Sequence, residues 1–330
     1  MAEHRRTAYI AGMGVCVPPK VMTNEDLAEI VDTSDEWITQ MTGIKERRFT
    51  EDDVATSDLA AEASRKALCD AGLDASDVDM VLVGTATPDM FFPSTACLVQ
   101  SKIGAKDAFA YDMSAGCTGF IYGLVIAEQF IACGTIETAI VVGAENLSKF
   151  MDMTDRNTCV LFGDGAGAAV LRPGEAPRGL LTHCLGSDGS LGKLLEFPAG
   201  GSRIPTTHAT VDQRLHYIKM EGRKVYVNAV RAMGDSIVKV IEQAGLTGDD
   251  VDILFPHQAN IRIITSVAER AGMPMEKVYV NIDKYGNTSA ASIPIAMVEA
   301  IEKGKLREGM LAGLVAFGAG FTWGAALIRW

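Results

Sequence analysis

The first candidate for chemistry is Cys117, because of its place between two predicted elements. Residues Ala108–Asp112 form a predicted strand, Met113–Gly116 a turn of small residues, and Cys117–Cys133 a predicted helix. Free N–H groups and the helix dipole at a helix N-terminus favour a thiolate. The position therefore predicts a nucleophilic cysteine. A small buried core cysteine is the alternative for this residue taken alone.

Two further polar residues occupy comparable places in the second half. His257 comes after the predicted strand Ile253–Phe255, and ligands of open α/β sheets gather at the carboxyl ends of strands. Asn287 follows a glycine at the start of a predicted helix, 170 residues after Cys117. A loop histidine and a capping asparagine are the structural alternatives. If the two helix starts meet, we expect all three side chains to share one site.

Such a meeting requires a duplicated fold, and the sequence repeats itself in a way that predicts one. Three pairs of segments recur in the same order, which chance does not readily produce. The pairs are Ala71-Gly72-Leu73 with Ala244-Gly245-Leu246, Gly116–Gly134 with Gly286–Gly304, and Phe162-Gly163-Asp164-Gly165 with Phe317-Gly318-Ala319-Gly320.

Each half alternates predicted strands and helices, which indicates an α/β class with a sheet covered on both faces. Residues Pro173–Pro177 form a natural junction, so the predicted halves are 1–172 and 173–330. The remaining predicted elements are strands at Val81–Gly84, Ala139–Gly143 and Gly167–Leu171, helices at Thr95–Ile103 and Lys219–Val240, a loop at Asp188–Arg214, and two strands within Met310–Ile328.

Composition excludes several classes of function. The chain has 330 residues, 48% of them hydrophobic, and a net charge of −12, which argues against a nucleic-acid partner. Seven cysteines without CxxC spacing indicate neither a zinc site nor a disulfide framework, as expected of a cytoplasmic protein. The uncharged run Met310–Ile328 contains four glycines, and Ala8–Cys16 lacks a cleavage site. We therefore expect buried strands there, with no membrane anchor or signal peptide.

Nearly the whole chain resembles the β-ketoacyl-acyl carrier protein synthase III family, thiolase-fold condensing enzymes that initiate type II fatty-acid synthesis. The motifs that carry the resemblance are Thr33–Ile38, Thr42–Ile44, Phe92–Ser94, Ala115–Phe120, Thr154–Arg156, Pro256–Asn260, Gly286–Ser292 and Phe321–Gly324. The resemblance implies two duplicated βαβαβ halves in a layered α-β-α-β-α sandwich.

The resemblance also implies a reaction. Cys117 would take the acyl group of an acyl-CoA, acetyl-CoA by expectation, and malonyl-acyl carrier protein would then lose CO2 to give an enolate that attacks the thioester. His257 and Asn287 would stabilise the enolate, and the N–H groups of Cys117 and Ala319 would form the oxyanion hole. No cofactor is expected beyond the CoA thioester substrate and the phosphopantetheine of the carrier protein.

Further residues have implied binding roles. Trp37 would stack on the CoA adenine with support from Arg156, and Arg262 would meet the carrier protein. The residues implied to line the pantetheine tunnel are Gly222, Tyr226 and Asn260. Phe92 would enter the acyl pocket of a second copy, which implies a homodimer. Two departures are Met41, where the family often has a basic residue, and Ala319, which replaces the middle of a triple glycine.

The acidic chain would need local positive charge to bind an acidic carrier protein. The candidates are Arg262, Lys219, Arg223, Lys224 and Arg231, the last four on the predicted helix Lys219–Val240. A solvated helix face is the alternative for each of them.

The residues alone leave other activities open. A polyketide or quinolone starter enzyme of the same fold is one alternative, and an acyl-CoA thioester hydrolase is another. A thiolase would need a second cysteine in the C-terminal half, and the last cysteine is Cys184. A non-catalytic partner subunit would not need the three polar residues.

Overall fold

The computed structural model of the chain describes residues 6–330, so the first five residues of the predicted half 1–172 lie outside it. Its strands are β1 (Arg6–Cys16), β2 (Lys20–Thr23), β3 (Glu46–Phe49), β4 (Met80–Gly84), β5 (Phe109–Met113), β6 (Ala139–Glu145), β7 (Gly165–Glu175), β8 (Gly179–Ser187), β9 (Leu195–Glu196), β10 (Lys219–Met220), β11 (Ile253–Pro256), β12 (Leu311–Gly318) and β13 (Thr322–Arg329). Its α-helices are α1 (Asn24–Ala28), α2 (Asp35–Thr42), α3 (Thr56–Ala71), α4 (Thr95–Ile103), α5 (Gly119–Ala132), α6 (His208–Asp212), α7 (Gly222–Gln243), α8 (Ile261–Arg270), α9 (Ile282–Tyr285) and α10 (Ser292–Glu302).

Two sheets have corresponding topologies. The first has the order β1-β7-β6-β4-β5 and the second the order β8-β13-β12-β11. In both, the two outer pairs at one edge are antiparallel and the next pair, β4 with β6 or β11 with β12, is parallel. A single parallel bridge between Leu254 and Val278 stands where β5 pairs with β4 in the first sheet. This correspondence confirms the predicted duplication.

The sheets and helices form five layers. Helices α5 and α10 lie between the two sheets, where their apolar side chains share one core with residues of both. Helices α3 and α4 cover the outer face of the first sheet, and α7 and α8 cover the outer face of the second. The layered α-β-α-β-α sandwich is therefore confirmed.

Burial on both faces explains why the strands are almost continuously apolar. In β12, Leu314 and Ala316 point into the central core, whereas Val315 and Phe317 point into the outer one. Successive strand residues face opposite sides, so each must be apolar when both sides are covered.

Several element boundaries differ from those predicted. The helix predicted from Cys117 begins with a 3₁₀ turn, Gly116–Thr118, and becomes α-helical at Gly119. Strand β7 continues through the proline at 173 to Glu175, because it pairs along its length with β1. Lys219 lies in the short strand β10 and not in a helix, because α7 begins only at Gly222.

Other predictions agree with the structure. The helix at Thr95–Ile103 has the predicted bounds, and the C-terminal uncharged run forms the two buried strands β12 and β13. No helix within residues 6–330 combines the length and hydrophobicity that crossing a bilayer requires.

Candidate active site

Cys117 lies in the 3₁₀ turn between β5 and α5, held by close backbone packing. Gly116 has a φ of +53°, which glycine adopts without a steric penalty. A Cβ atom on Gly318, at the end of β12, would lie 2.4 Å from the backbone nitrogen of Cys117. Glycine at 318 is therefore needed for the second sheet to approach the cysteine this closely.

The surroundings of Cys117 oppose the lowering of its pKa that its place at a helix start favours. Burial raises the pKa of its thiol to about 12, and the nearby carboxyl group of Glu145 adds to the rise. Hydrogen bonds from Ser289 and from the cysteine's own N–H lower the pKa only in part. Because a 3₁₀ turn precedes α5 and the site is desolvated, the helix terminus does not outweigh burial.

His257 follows β11 and is neutral. Its backbone N–H donates to the carbonyl oxygen of Val315 at 2.8 Å, which fixes it against the second sheet. The ring Nδ1 lies 2.7 Å from Oγ of Ser292 at the start of α10. The side chain is buried, and desolvation lowers its pKa to about 3. A neutral imidazole and a thiol of raised pKa therefore line the same cavity.

Asn287 is held so that its amide nitrogen remains available as a donor. It follows Gly286, whose φ of +61° corresponds to that of Gly116 in the first half. Its Oδ1 atom accepts the N–H of Ser289 at 2.8 Å, and its own N–H donates to the carbonyl oxygen of Leu161. Since Oδ1 is already occupied, the Nδ2 group is the part of this side chain free to bind a developing anion.

A single cavity of about 680 Å³ brings the three residues together, with Cys117, His257 and Asn287 all on its wall. The buried His257 and Asn287 lie at the inner part, whereas Arg262 and Arg223 on the same wall are exposed to solvent. The cavity thus leads from the protein surface to the three polar groups.

Most of the predicted binding residues line this cavity. Trp37, Gly222, Tyr226, Asn260 and Arg262 are on its wall. The guanidinium of Arg262 lies 5.7 Å from the centre of the Tyr226 ring. The side chain of Asn260 has a further structural role, because it caps α8 through the Arg262 N–H and donates to the carbonyl oxygen of residue 41.

Three predicted residues lie outside the cavity wall. The guanidinium of Arg156 lies 4.9 Å from the centre of the Trp37 ring, so it reaches the cavity only through that ring. Ala319 packs against the turn of the nucleophile, since a Cβ atom on Gly116 would lie 2.7 Å from its nitrogen. Phe92 is 84% exposed on the protein surface.

The substitution of glycine by alanine at 319 leaves the backbone unstrained. Within residues 6–330 the non-glycine residues with positive φ are Arg214 and Ser289, so Ala319 has an ordinary φ. The alanine therefore adds no backbone strain to the segment that packs against Gly116.

The structure adds residues that the sequence interpretation did not include. Glu145, Ser289 and Ser292 contact the polar groups of the site. A charged residue that ends the apolar run Ala139–Ala144 was a usable signal for Glu145, because such a residue must find polar partners when it is buried. The two serines gave no signal beyond their proximity to Asn287.

The fold is a duplicated five-layer α/β sandwich, and the starts of its two central helices bring a cysteine and an asparagine to one buried histidine. This combination defines a thiolase-fold condensing enzyme. Family models agree with this class. Residues 111–189 match the model for 3-oxoacyl-[acyl-carrier-protein] synthase III, and residues 241–330 match the model for its C-terminal part.

Individual relatives cover nearly the full chain. The chain is 55% identical to the beta-ketoacyl-[acyl-carrier-protein] synthase III of Caldanaerobacter subterraneus subsp. tengcongensis, over 98% of both chains. The corresponding enzyme of Natranaerobius thermophilus is 53% identical over 98% of this chain and 99% of its own. The crystal structure of the Aquifex aeolicus synthase III superposes with a TM-score of 0.91 at 47% identity, covering 98% of this chain and 100% of that one. The chain belongs to the β-ketoacyl-acyl carrier protein synthase III family and is an acyltransferase.

Proposed function

We propose that the protein catalyses the decarboxylative condensation of an acyl-CoA, acetyl-CoA in the first instance, with malonyl-acyl carrier protein. The products are 3-oxoacyl-acyl carrier protein, CO2 and CoA, and the reaction starts a round of fatty-acid synthesis. The observation that carries this proposal is the convergence of Cys117, His257 and Asn287 on one cavity that opens to the surface. The family membership of the chain supports the same reaction.

The reaction would proceed in two half-reactions at Cys117. In the first, the sulfur attacks the thioester carbonyl of the acyl-CoA, a tetrahedral intermediate forms, and CoA leaves. The N–H groups of Cys117 and Ala319 would bind the oxyanion of that intermediate. In the second, malonyl-acyl carrier protein loses CO2, and the resulting enolate attacks the acyl group on Cys117.

The neutral state of His257 suits the second half-reaction. An enolate oxygen needs donors. We assign the Ser292 hydroxyl as the donor to Nδ1 of His257, 2.7 Å away, and in that tautomer the neutral imidazole carries its proton on Nε2. The Nδ2 group of Asn287 supplies a second donor, since its Oδ1 is already bonded. Both donors would be in place before charge develops, which is the condition for strong electrostatic stabilisation.

The outer cavity would bind the CoA and phosphopantetheine arms. The Trp37 ring is the proposed platform for the adenine, and Arg156 already stacks on that ring. Gly222, Tyr226 and Asn260 would contact the pantetheine. Met41 lines the same wall without a charge, so the binding of CoA would rely on the neighbouring residues.

The proposed docking site for the acyl carrier protein includes fewer basic residues than the sequence predicts. Arg262 and Arg223 line the outer cavity, where the phosphopantetheine enters. In contrast, Lys224 pairs with Glu221 at 2.6 Å. Two further candidates are also engaged elsewhere: Lys219 lies 4.0 Å from Asp152, and Arg231 lines a separate surface cleft and donates to Asn228. We therefore assign docking to Arg262 and Arg223.

We further propose a cytoplasmic homodimer with no cofactor. Strand β5 is at the edge of the first sheet, and the aromatic side chain of Phe109 on it is 43% exposed. Phe91 and Phe92 are 79% and 84% exposed on the segment between β4 and α4. A second copy would cover these side chains, and Phe92 would then reach its acyl pocket. Within each copy, the halves 1–172 and 173–330 would contribute Cys117 and the His257–Asn287 pair, respectively.

Product analysis tests the proposed reaction. With acetyl-CoA alone, radiolabelled acetyl should accumulate on Cys117, and with malonyl-acyl carrier protein it should appear in a 3-oxoacyl product. Cys117→Ser should abolish the label, whereas Cys184→Ser, a matched change away from the three residues, should retain it. Release of free acetate without the carrier protein would indicate a hydrolase. Label on Cys159 or Cys184 would refute the assignment of the nucleophile.

A further inference from the structure

Glu145 is a buried carboxyl group with an unusual set of partners. It ends β6 and is completely buried. The hydroxyl of Thr87 donates to it at 2.6 Å, the N–H of Ala86 at 3.1 Å, and the hydroxyl of Ser289 at 2.9 Å. Thr85 adds a longer hydrogen bond at 3.3 Å, and the titratable group that faces this cluster is the thiol of Cys117. Four donors around one carboxyl group fit an ionised carboxylate.

Ser289 connects this carboxyl group to the nucleophile. Its hydroxyl donates to Oε1 of Glu145 at 2.9 Å, and the same side chain adjoins the thiol of Cys117, whose pKa it lowers. Its backbone has a φ of +49°, in the left-handed region that is unfavourable for a residue other than glycine. A hydroxyl has one proton to donate and lone pairs to accept. With its own proton directed at Glu145, the Ser289 oxygen has lone pairs left to accept the thiol proton of Cys117, so the three groups can relay a proton.

We propose that Glu145 is a positioning residue that stores the thiol proton of Cys117, through Ser289, for the lifetime of the acyl-enzyme. This proposal rests on the proposed condensation reaction. The proposal assigns a role to the buried carboxyl group of Glu145, which the reaction at Cys117, His257 and Asn287 does not otherwise use.

The acylation step balances as follows. The S–H bond of Cys117 breaks while its sulfur bonds to the acyl carbon. The proton passes to the oxygen of Ser289, which releases its own proton to Oε1 of Glu145 and leaves a carboxylic acid. The bond between the acyl carbon and the CoA sulfur breaks, and CoA leaves with the electron pair. The CoA thiolate takes a proton from water at the open end of the cavity.

The condensation step returns the stored proton. When the enolate carbon bonds to the acyl carbon, the bond between that carbon and the Cys117 sulfur breaks and leaves a thiolate. Glu145 gives its proton to Ser289, which passes its own to the sulfur. Over the cycle one proton is taken up from water, which balances the loss of the malonyl carboxylate as CO2. Between the steps Glu145 is neutral, so it does not repel the enolate.

Burial favours Glu145 over His257 as the proton acceptor. Protonation of a buried imidazole creates a charge, and desolvation lowers the pKa of His257 to about 3. Protonation of a buried carboxylate removes a charge, and burial raises the pKa of Glu145 to about 7. Glu145 can therefore exchange a proton near neutral pH, and His257 remains a neutral donor.

The test is the pH profile of the first acylation. Rapid-quench labelling of Cys117 with radiolabelled acetyl-CoA measures the rate between pH 5.5 and 9, without the carrier protein. In the wild-type protein the rate should rise through about pH 7 as the Glu145 carboxylate forms. In Glu145→Gln we expect a loss of about 100-fold or more at pH 8, within the range for removal of a general base, and no rise near pH 7.

Matched variants separate the proton path from stability. Ser289→Ala and Ser289→Gly both remove the hydroxyl, but glycine relieves the positive φ, so both should lose the rise if the hydroxyl matters. Glu299→Gln removes another buried carboxylate, remote from the cavity wall, and should keep the rise. Glu145→Asp should recover part of the rate and retain a rise.

The outcomes distinguish the two proposals. A rise near pH 7 that persists in Glu145→Gln would overturn the proton path, even if the overall rate fell. Full activity of Ser289→Gly would overturn it as well. If the wild-type protein gave no label on Cys117, the proposed function itself would fail, and the proton path with it.

Discussion

Replacement of Asn287 tests which of the two half-reactions depends on its side-chain donor. The Oδ1 atom of Asn287 accepts the N–H of Ser289 at 2.8 Å, which leaves Nδ2 as the donor toward the cavity. Asn287→Asp keeps the shape and the acceptor for Ser289 but replaces the donor by a second acceptor. Asn287→Ala removes both. The aspartate variant therefore isolates the donor with little change in local structure.

The expected magnitude follows from the loss of one preorganised donor. Removal of a single oxyanion-hole donor costs on the order of 10²–10³ in rate, or about 2.7–4 kcal/mol. We expect Asn287→Ala to lose this much in decarboxylation of malonyl-acyl carrier protein. Asn287→Asp should lose more, because a buried carboxylate would face the developing enolate and repel it. Both losses belong to the step in which the enolate forms.

The assay measures the two half-reactions separately. Release of labelled CO2 from malonyl-acyl carrier protein reports decarboxylation, and transfer of labelled acetyl to Cys117 reports acylation. For both Asn287 variants we expect acylation to change by less than about 10-fold, because the oxyanion of that step would bind backbone N–H groups. His257→Ala should show the same pattern, since it removes the other donor.

One result would refute this reasoning. If Asn287→Asp blocked acylation of Cys117 but left decarboxylation unchanged, the roles assigned to the two half-reactions would be wrong. Equal losses in both would indicate a general structural role for Asn287.

Three further predictions follow from the same geometry. Arg262→Glu or Arg223→Glu should raise KM for malonyl-acyl carrier protein several-fold and leave KM for acetyl-CoA unchanged. Lys224→Glu, at a lysine already paired with a carboxylate, is the control. An equal rise in KM for both substrates would place these residues in the shared tunnel. Phe92→Glu should shift the mass by light scattering from a dimer toward about 35 kDa, and a fully active wild-type monomer would contradict the interface. The folded-state pKa of His257 is about 3, below its ordinary 6.5, so the unfolded state takes up a proton first as pH falls. The raised pKa of Glu145, about 7, has the opposite effect on stability. We therefore expect the change in unfolding free energy from pH 7 to pH 5, measured with urea, to be about 2 kcal/mol less favourable to the folded state in the wild-type protein than in His257→Asn.

Much of the fold was predictable because it depends on local pattern and repetition. Apolar runs bounded by glycines predict strands buried on both faces, and the bounds of α4 agree with the structure. The spacing of Gly116–Cys117 and Gly286–Asn287 gave the two matching helix starts, and the structure places both on one cavity. These features need only the identities of residues that are near in sequence.

Boundaries set by distant partners were not predictable. Strand β7 extends into the predicted junction because β1, 150 or more residues earlier, offers hydrogen bonds along its full length. Lys219 joins a strand because β9 pairs with it and the carboxylate of Asp152 lies nearby. A local pattern contains no information on which distant segment will supply such partners.

The protonation states of the site residues are determined by the tertiary structure. The sequence shows a cysteine before a helix, and from that position a lowered pKa was expected. Burial instead raises the pKa to about 12, and the nearby carboxyl group of Glu145 adds to the rise. The contact between Ser289 and Glu145 likewise joins residues 144 positions apart. Residue types determine which reactions are possible, whereas desolvation and long-range contacts decide which groups are charged when the substrate arrives.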